Sequence, residues 1–321
     1  MRYVIGIDAG GTKTTGILAD ESGKELREAR AGGANLRVHG ELRVEKSLYQ
    51  VIDALDAPGP VDALCLGIAG VGGDTERGVV RDLLRRLGIR RALRIVNDAV
   101  VALVAGAPQG LGVVLISGTG SIAWGVDASG HTARSGGWGY LLGDEGSAFW
   151  LGHAAVRQGI RAADGRGPAT SLYDRIREKL GVSGTPDLVD WFYDQELSRT
   201  RVAELARLVE EAAVDGDGAA EELLDQAATH LVRAARSTVE QLSFPGEFPL
   251  VLAGGAFRAC PSLVRRIEEK LEIPRARVVR LEAEPATAAL RLALELLRSP
   301  GASSPSGADE QAGERSRWSG E

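Results

Sequence analysis

The sequence is poor in cysteine, in aromatic residues and in net positive charge. Its 321 residues include two cysteines, aromatic residues make up 5%, and the net charge is -6. Cys65 and Cys260 are isolated from each other along the chain, so they predict neither a disulfide framework nor a metal-ligand cluster. The negative charge argues against a nucleic-acid-binding or membrane-surface protein, because both usually carry basic patches.

Long hydrophobic runs are also missing. No apolar stretch reaches the length of a membrane span, and the start MRYVIGIDAGG lacks the apolar core of a secretory signal peptide. The expected location is therefore the cytoplasm. At 321 residues and 44% hydrophobic content, the chain is long enough for two domains, each with a buried core.

Glycine, in contrast, is abundant, and three glycine turns each follow an apolar strand. The first turn, in GIDAGGTKTTGIL, nearly matches a P-loop, but Thr12 stands where that motif has lysine. The β-rich residues after this turn predict a hairpin, whereas a P-loop opens a helix. The second turn, SGTGS, repeats the hairpin layout, which indicates two similar domains facing each other. The third turn is AGGAF, residues 253–257.

The three glycine turns predict a binding site for an anion. Glycine lets backbone N–H groups approach an anion closely. Side chains of the first two turns add hydroxyl or ammonium donors: Thr12, Lys13, Thr14, Thr119 and Ser121. Asp8, at the end of the first strand, is placed to hold a hydrated Mg²⁺ that bridges phosphates. One such turn is often only a turn, but three in one order favour a common site.

A further candidate is Asp98, which follows Asn97 at a predicted strand-to-helix junction. Aspartate is a preferred helix cap, so a structural role is open. The alternative is a general base that accepts a hydroxyl proton while the hydroxyl oxygen attacks phosphorus.

The segment GGWGYLLGDEGSAFW, residues 136–150, combines glycines, a tryptophan and the acidic pair Asp144–Glu145. One interpretation is a loop packed by Trp138, with Asp144 or Ser147 capping the next helix. The other is a sugar site, in which carboxylates bind hydroxyl groups and the tryptophan or the glycine backbone shapes the pocket.

Helical patterns dominate from residue 147 to residue 242, and FPLVLA predicts a late strand before the third glycine turn. DGDG, residues 215–218, predicts a helix-capping turn rather than a calcium loop. One helix is predicted over residues 258–271 and a closing helix over PATAALRLALELL. The Ser/Gly/Pro-rich residues 299–321 are predicted to be a disordered tail.

Five segments together resemble the superfamily of sugar kinases, acetate kinase, actin and the heat-shock ATPases. They are similar to its phosphate, connecting and adenosine motifs, in chain order IGIDAGGTKT, IVNDA, LISGTGS, VLAGGAF and EPATAALRLAL. The combination of LISGTGS with GGWGYLLGDEGSAFW is most similar to N-acetylglucosamine kinases of the BadF/BadG-type ATPase family. The resemblance implies an α/β fold with two actin/hexokinase-like (ribonuclease H-like) domains and a cleft between them. The implied division is 1–115, 116–285 with a helical insert, and 286–298 returning to the first domain.

The resemblance also implies site residues, with ATP and Mg²⁺ as cofactors. It makes Asp98 the catalytic base and Asp8 the metal ligand. Sugar contacts are implied for Asn35, Asp98, Gly137, Trp138, Gly139 and Asp144. Nucleotide contacts are implied for Gly10, Gly11, Thr12, Lys13, Thr14, Gly118, Thr119, Gly120, Ser121, Ala213, Gly254, Gly255 and Arg258. A homodimer would suit the family.

The implied reaction transfers the γ-phosphoryl group of ATP to the 6-hydroxyl of an amino sugar, with N-acetylglucosamine as the preferred acceptor. Glucosamine, N-acetylmuramic acid and glucose stay open, because the pocket around the sugar's substituents sets this choice. A remoter alternative is an ATPase that activates a CoA-ester dehydratase or reductase. Such activators hold an iron–sulfur cluster through cysteines beside the nucleotide site, where this sequence has none. A non-enzymatic nucleotide switch like actin is the third alternative.

Overall fold

Two five-stranded sheets form the framework of the computed structural model, which describes residues 1–194 and 197–298. The predicted tail, 299–321, lies outside the described residues. The strands of the first sheet are β1 (Tyr3–Ala9), β2 (Lys13–Asp20), β3 (Glu25–Gly32), β4 (Val61–Ile68) and β5 (Ala92–Asn97). Those of the second are β6 (Gly112–Ser117), β7 (Ser121–Val126), β8 (Thr132–Gly136), β9 (Phe248–Ala253) and β10 (Ala276–Arg280).

The two sheets share one topology. Their strand orders are β3-β2-β1-β4-β5 and β10-β9-β6-β7-β8. In each sheet the central strand pairs antiparallel with the next strand and parallel with a later one: β1 with β2 and β4, β6 with β7 and β9. The predicted α/β fold with two similar halves is therefore confirmed, and so is the hairpin in place of a P-loop.

Helices connect the strands and cover the sheets. In the first half they are α1 (Leu36–Leu55), α2 (Asp74–Arg86) and α3 (Asp98–Gly106). The region predicted to be helical contains α4 (Ala148–Ala163), α5 (Leu172–Leu180), α6 (Thr185–Tyr193), α7 (Arg199–Glu204), α8 (Ala206–Val214) and α9 (Gly218–Glu240). The last three are α10 (Gly255–Ala259), α11 (Pro261–Lys270) and α12 (Pro285–Arg298).

Two local predictions are tested directly. Asp217 accepts hydrogen bonds from the backbone N–H groups of Ala219 and Ala220 at the start of α9, so the capping turn at DGDG is confirmed. The single helix predicted over 258–271 is wrong, because Cys260 separates α10 from α11 with φ -128° and ψ 77°. Pro261 explains the break, since a proline disfavours helical backbone in the residue before it.

The last helix, α12, packs against β1 and β4 of the first sheet. Gly6 makes this approach possible, because a Cβ atom there would lie 2.1 Å from the backbone nitrogen of Leu290. Val4, Cys65 and Val101 are buried in the same cluster as Leu290. Among the described residues, no helix combines the length and the apolar character that crossing a membrane requires.

Candidate active site

The first two glycine turns meet each other in space. The Thr12 and Thr119 hydroxyl oxygens are 2.7 Å apart, although 107 residues separate them in the chain. Backbone bonds shape both turns: Gly10 N–H donates to Lys13 O at 2.9 Å, and Gly118 N–H donates to Gly120 O at 2.9 Å. The convergence predicted from the sequence is therefore present in the structure.

The third glycine turn lies against the second, but it leads into helix α10 and not into a hairpin. Gly254 has φ +117°, and a Cβ atom there would lie 2.2 Å from Ser117 O. Only glycine fits both conditions, so the backbones of the two turns are in direct contact. The exposed Arg258 follows on α10, and α8, which carries the buried Ala213, packs against α10.

The predicted phosphate donors are not equally available. Thr14 Oγ1 is buried and donates to Gly32 O at 2.8 Å, and Ser121 Oγ donates to Glu145 O at 2.8 Å. Lys13 Nζ binds both carboxylate oxygens of Glu284, at 2.9 and 2.7 Å. The hydroxyls of Thr12 and Thr119 are the predicted side-chain donors that lie where the two hairpins meet.

Two carboxylates lie at one edge of the first sheet. Strands β1, β4 and β5 are parallel, so their carboxyl ends meet at this edge, where open α/β sheets bind ligands. Asp8 stands near the end of β1, and Asp98 directly follows β5. Asn97 caps α3 through a bond from Ala99 N–H at 3.0 Å, so Asp98 is not needed as the sole cap. Asp98 Oδ1 also accepts from Ala99 N–H, at 3.1 Å, which orients its carboxylate.

Both carboxylates bind protons more tightly than exposed ones. Burial raises the pKa of Asp8 to about 7, the negative charge of Asp98 adds to the rise, and Lys13 opposes it. Burial also raises the pKa of Asp98 to about 6, while the bond from Ala99 and the charge of Arg134 lower it. Strongly shifted carboxylates in a cleft are typical of functional sites.

Asn35 lies at the start of α1, near the same edge. Its Oδ1 accepts from Val38 N–H at 3.2 Å, and a Cβ atom at Gly70, just after β4, would lie 2.4 Å from this oxygen. The side-chain Nδ2 makes no hydrogen bond within the described parts of the chain. The Asn35 amide is therefore held through its oxygen, and its Nδ2 can donate a hydrogen bond to a ligand.

The segment from the last residue of β8 to the start of α4, residues 136–147, is here called the GGWG loop. Gly136, Gly137 and Gly139 have φ between 70° and 90°, the left-handed region that favours glycine. Arg134, on β8, donates to the carbonyl oxygens of Gly136 at 3.1 Å and Gly137 at 2.6 Å. Its guanidinium lies 4.2 Å from the centre of the Trp138 ring. Trp138 is 61% exposed, so this tryptophan is not packed in a core as one interpretation held.

Asp144 attaches the GGWG loop to the second glycine turn. It is buried, and its Oδ1 accepts from Ser121 N–H at 3.3 Å. A Cβ atom at Gly120 would lie 2.8 Å from Asp144 Oδ2, so this glycine gives the carboxylate its room. Ser147 caps α4 by accepting from Trp150 N–H at 3.1 Å, which leaves Asp144 free of that role. Burial raises the pKa of Asp144.

Sequence reasoning missed Arg134 and Glu284. Arg134 acts electrostatically on both Asp98 and Asp144, so it lies between the sheet edge and the GGWG loop. The sequence feature that could have indicated Arg134 is its position as a charged residue on the short strand directly before GGWG. Glu284 stands in the connecting motif EPATAALRLAL, where a carboxylate immediately before a helix would ordinarily indicate a cap.

A sequence profile described as the BadF/BadG/BcrA/BcrD ATPase family matches residues 5–289. The chain belongs to this family. A relative from Clostridium acetobutylicum, N-acetylmuramic acid/N-acetylglucosamine kinase, is 32% identical over 91% of this chain and 98% of its own. The N-acetyl-D-glucosamine kinase of Dictyostelium discoideum is 34% identical over 90% of this chain and 97% of its own.

Solved structures agree on the fold of this BadF/BadG/BcrA/BcrD ATPase. A Chromobacterium violaceum protein assigned as an N-acetylglucosamine kinase is 28% identical, with a TM-score of 0.71 over 92% of this chain and 99% of that protein. A ROK family glucokinase from Streptomyces griseus, in complex with glucose and AMPPNP, is 18% identical. Its TM-score is 0.56 over 91% of this chain and 99% of the glucokinase. The glucokinase shows likeness of fold alone.

Proposed function

We propose that this protein is an ATP-dependent kinase that phosphorylates the 6-hydroxyl of an amino sugar, with N-acetylglucosamine as the preferred acceptor. The observation that carries this proposal is a combination of two features. The Thr12 and Thr119 turns are in contact, and the first sheet, which bears the Thr12 turn, also has the interacting carboxylates of Asp8 and Asp98 at one edge. Relatives named for N-acetylglucosamine, at 32% and 34% identity, support the choice of sugar.

Asp98 is the proposed general base. A carboxylate oxygen takes the proton of the 6-hydroxyl while the hydroxyl oxygen attacks the γ-phosphorus. The new O–P bond forms, the bond from phosphorus to the β–γ bridging oxygen breaks, and ADP leaves. A pKa of about 6 suits this step, because the carboxylate is mostly ionised at neutral pH yet more basic than an exposed aspartate.

The glycine turns are the proposed phosphate clamp. Backbone N–H groups and the two threonine hydroxyls supply donors from opposite halves of the molecule, where negative charge spreads over the phosphate oxygens during transfer. Preorganised donors of this kind stabilise the transition state without reorganising at the moment of reaction. In this scheme the Lys13–Glu284 pair joins the first turn to α12 and fixes the position of that turn.

Asp8 fits the role of a magnesium ligand. Its half-buried carboxylate carries a pKa raised to about 7 by burial and by Asp98, so a divalent cation would stabilise its ionised form. Mg²⁺ in such sites is commonly held by one or two carboxylates together with substrate phosphates. Bound Mg²⁺ would neutralise phosphate charge that the turns leave uncompensated.

The acceptor side is proposed to consist of Asn35, Asp144 and the GGWG loop. The free Asn35 amide is a hydrogen-bond donor, and Asp144 is an acceptor for sugar hydroxyls. Trp138 offers an exposed ring whose orientation is held by Arg134. An aromatic face beside a few placed polar groups is typical of small-ligand pockets.

The cysteines do not favour the alternative of a redox activator. Cys65 and Cys260 are both buried, and burial raises the pKa of each thiol to about 12. Neither is therefore available as a surface thiolate that could hold an iron–sulfur cluster between subunits.

An ADP-release assay with N-acetylglucosamine, glucosamine, N-acetylmuramic acid and glucose tests the proposed function. We expect ADP release with ATP and Mg²⁺ to rise most with N-acetylglucosamine, because the named relatives share this acceptor. 6-Deoxy-N-acetylglucosamine is the matched control and should give no stimulation, since it lacks the attacking hydroxyl. ADP release that no sugar increases would overturn the proposal.

The pKa of Asp98 predicts the acidic limb of the pH profile. A base works when it is ionised, so kcat/KM for the sugar should fall as the pH drops below about 6. The charge of Arg134 lowers this pKa, so Arg134→Gln should move the midpoint of the limb to higher pH. Arg85→Gln, on the exposed face of α2, should leave the midpoint in place. An unmoved midpoint in the Arg134 variant would contradict this electrostatic role.

A further inference from the structure

Arg199, in the first turn of α7, faces the GGWG loop. Its guanidinium carbon lies 5.2 Å from the centre of the Tyr140 ring, and Tyr140 stands between Gly139 and Asp144 in that loop. The Tyr140 ring packs edge-on against Phe149 of α4, with ring centres 5.2 Å apart. The arginine is half-buried, so it lies beside the loop and does not extend freely into solvent.

The electrostatic neighbours of Arg199 place it where the two halves of the molecule face each other. Burial raises the pKa of Asp144, and the positive charge of Arg199 opposes that rise. Burial lowers the pKa of His39, and the charges of Arg43 and Arg199 lower it further. His39 Nδ1 accepts from the backbone N–H of Asn35 at 3.1 Å. Arg199 therefore acts on both sides of the proposed acceptor site.

Among the residues that the structure describes, Arg199 has neither a hydrogen-bonding nor an ion-pair partner. Arg37 pairs with Glu76 at 3.0 Å, and Arg134 donates to two carbonyl oxygens of the GGWG loop. Within the described residues, no carboxylate lies within ion-pair distance of Arg199, and its ring contact leaves its N–H groups unpaired. A half-buried cation without a partner is unfavourable, and a carboxylate is the group whose geometry a guanidinium matches best.

We propose that Arg199 is a specificity-determining residue that admits amino sugars bearing a carboxylate on a ring substituent. The inference rests on the proposed function and extends its acceptor range. With the 6-hydroxyl directed at Asp98, a substituent on C2 or C3 projects away from that residue. Arg134 acts on both Asp98 and Asp144, whereas Arg199 acts on Asp144 and His39, so Arg199 serves the Asp144 side of the site. A carboxylate there would form charge-assisted hydrogen bonds with its guanidinium.

The test compares N-acetylmuramic acid, which carries a lactyl carboxylate on O3, with the neutral N-acetylglucosamine. Arg199→Gln should lower kcat/KM for N-acetylmuramic acid by about 10- to 100-fold, mainly through KM, because a charged hydrogen bond is lost. The value for N-acetylglucosamine should change less than about threefold. For Arg199→Lys, kcat/KM for N-acetylmuramic acid should lie between the values of the wild type and Arg199→Gln. Lysine keeps the positive charge but lacks the planar guanidinium that binds a carboxylate through two hydrogen bonds.

Arg201→Gln is the matched control, because Arg201 lies on the same helix with its guanidinium 5.1 Å from the Trp191 ring centre. Both sugars should react with this variant as with the wild type. Equal losses for both sugars in Arg199→Gln would overturn the inference, since they would mean that Arg199 merely supports Asp144. Phosphorylation of N-acetylglucosamine alone by the wild type would also overturn it and leave the proposed function intact. Failure of both sugars would remove the proposed function as well.

Discussion

Asp98→Asn is expected to lower kcat by about 10²- to 10⁴-fold, the usual contribution of a general base. Asparagine has nearly the same shape and can still accept the bond from Ala99 N–H, so the start of α3 should persist. It cannot take a proton from the acceptor hydroxyl. The measurement is sugar-dependent ADP release at saturating ATP and sugar.

Nucleotide binding should survive in the same variant, because the proposed phosphate donors are the glycine turns and not Asp98. The rise in thermal unfolding temperature with added ATP and Mg²⁺ measures this binding, and it should match that of the wild type. Asp82→Asn, on the exposed surface of α2, is the matched control and should alter neither quantity. A kcat within a few-fold of wild type in Asp98→Asn would remove Asp98 from the mechanism.

The second large effect is expected on stability, from Gly6→Ala. The added Cβ atom would lie 2.1 Å from Leu290 N and 2.4 Å from Leu290 Cα, so β1 and α12 must separate. Backbone cannot rotate aside as a side chain can. Overpacking of a core usually costs about 1–3 kcal/mol, and we expect about 3 kcal/mol or more here.

Gly78→Ala is the matched control for this prediction. Gly78 lies inside α2, and nothing lies within 4 Å of a Cβ atom built there. Alanine in a helix interior is favoured over glycine by about 0.5–1 kcal/mol, so this variant should be slightly more stable than the wild type. Urea unfolding midpoints measure both changes. A Gly6→Ala midpoint equal to that of the wild type would show that α12 does not pack as described.

The parts of the fold that follow from local pattern were predictable from the sequence. The hairpin after Gly11 follows from β-rich residues directly after the turn. The same hairpin layout around SGTGS correctly indicates a second sheet with the topology of the first. The junction at Asn97 and Asp98 is also where the sequence places it. Each of these depends on residues close together in the chain, where propensity and turn chemistry act.

Side-chain partners distant in the chain could not be predicted in this way. Lys13 and Glu284 are 271 residues apart, and nothing local in either segment indicates their pairing. In the sequence Thr14 is one more hydroxyl of the first turn, but in the structure it is buried and its Oγ1 donates to Gly32 O of β3. The roles of the sugar and nucleotide residues, and the domain boundaries at 115, 285 and 298, stay predictions.

The contact between β1 and α12 has a consequence for the order in which the molecule is made. Translation makes β1 long before α12, yet the two share a close backbone contact at Gly6 and Leu290. The first sheet therefore keeps part of one apolar face uncovered until residues 285–298 have emerged from the ribosome. Although amino-terminal domains often fold first on the ribosome, this sheet cannot be completed before α12 has been made.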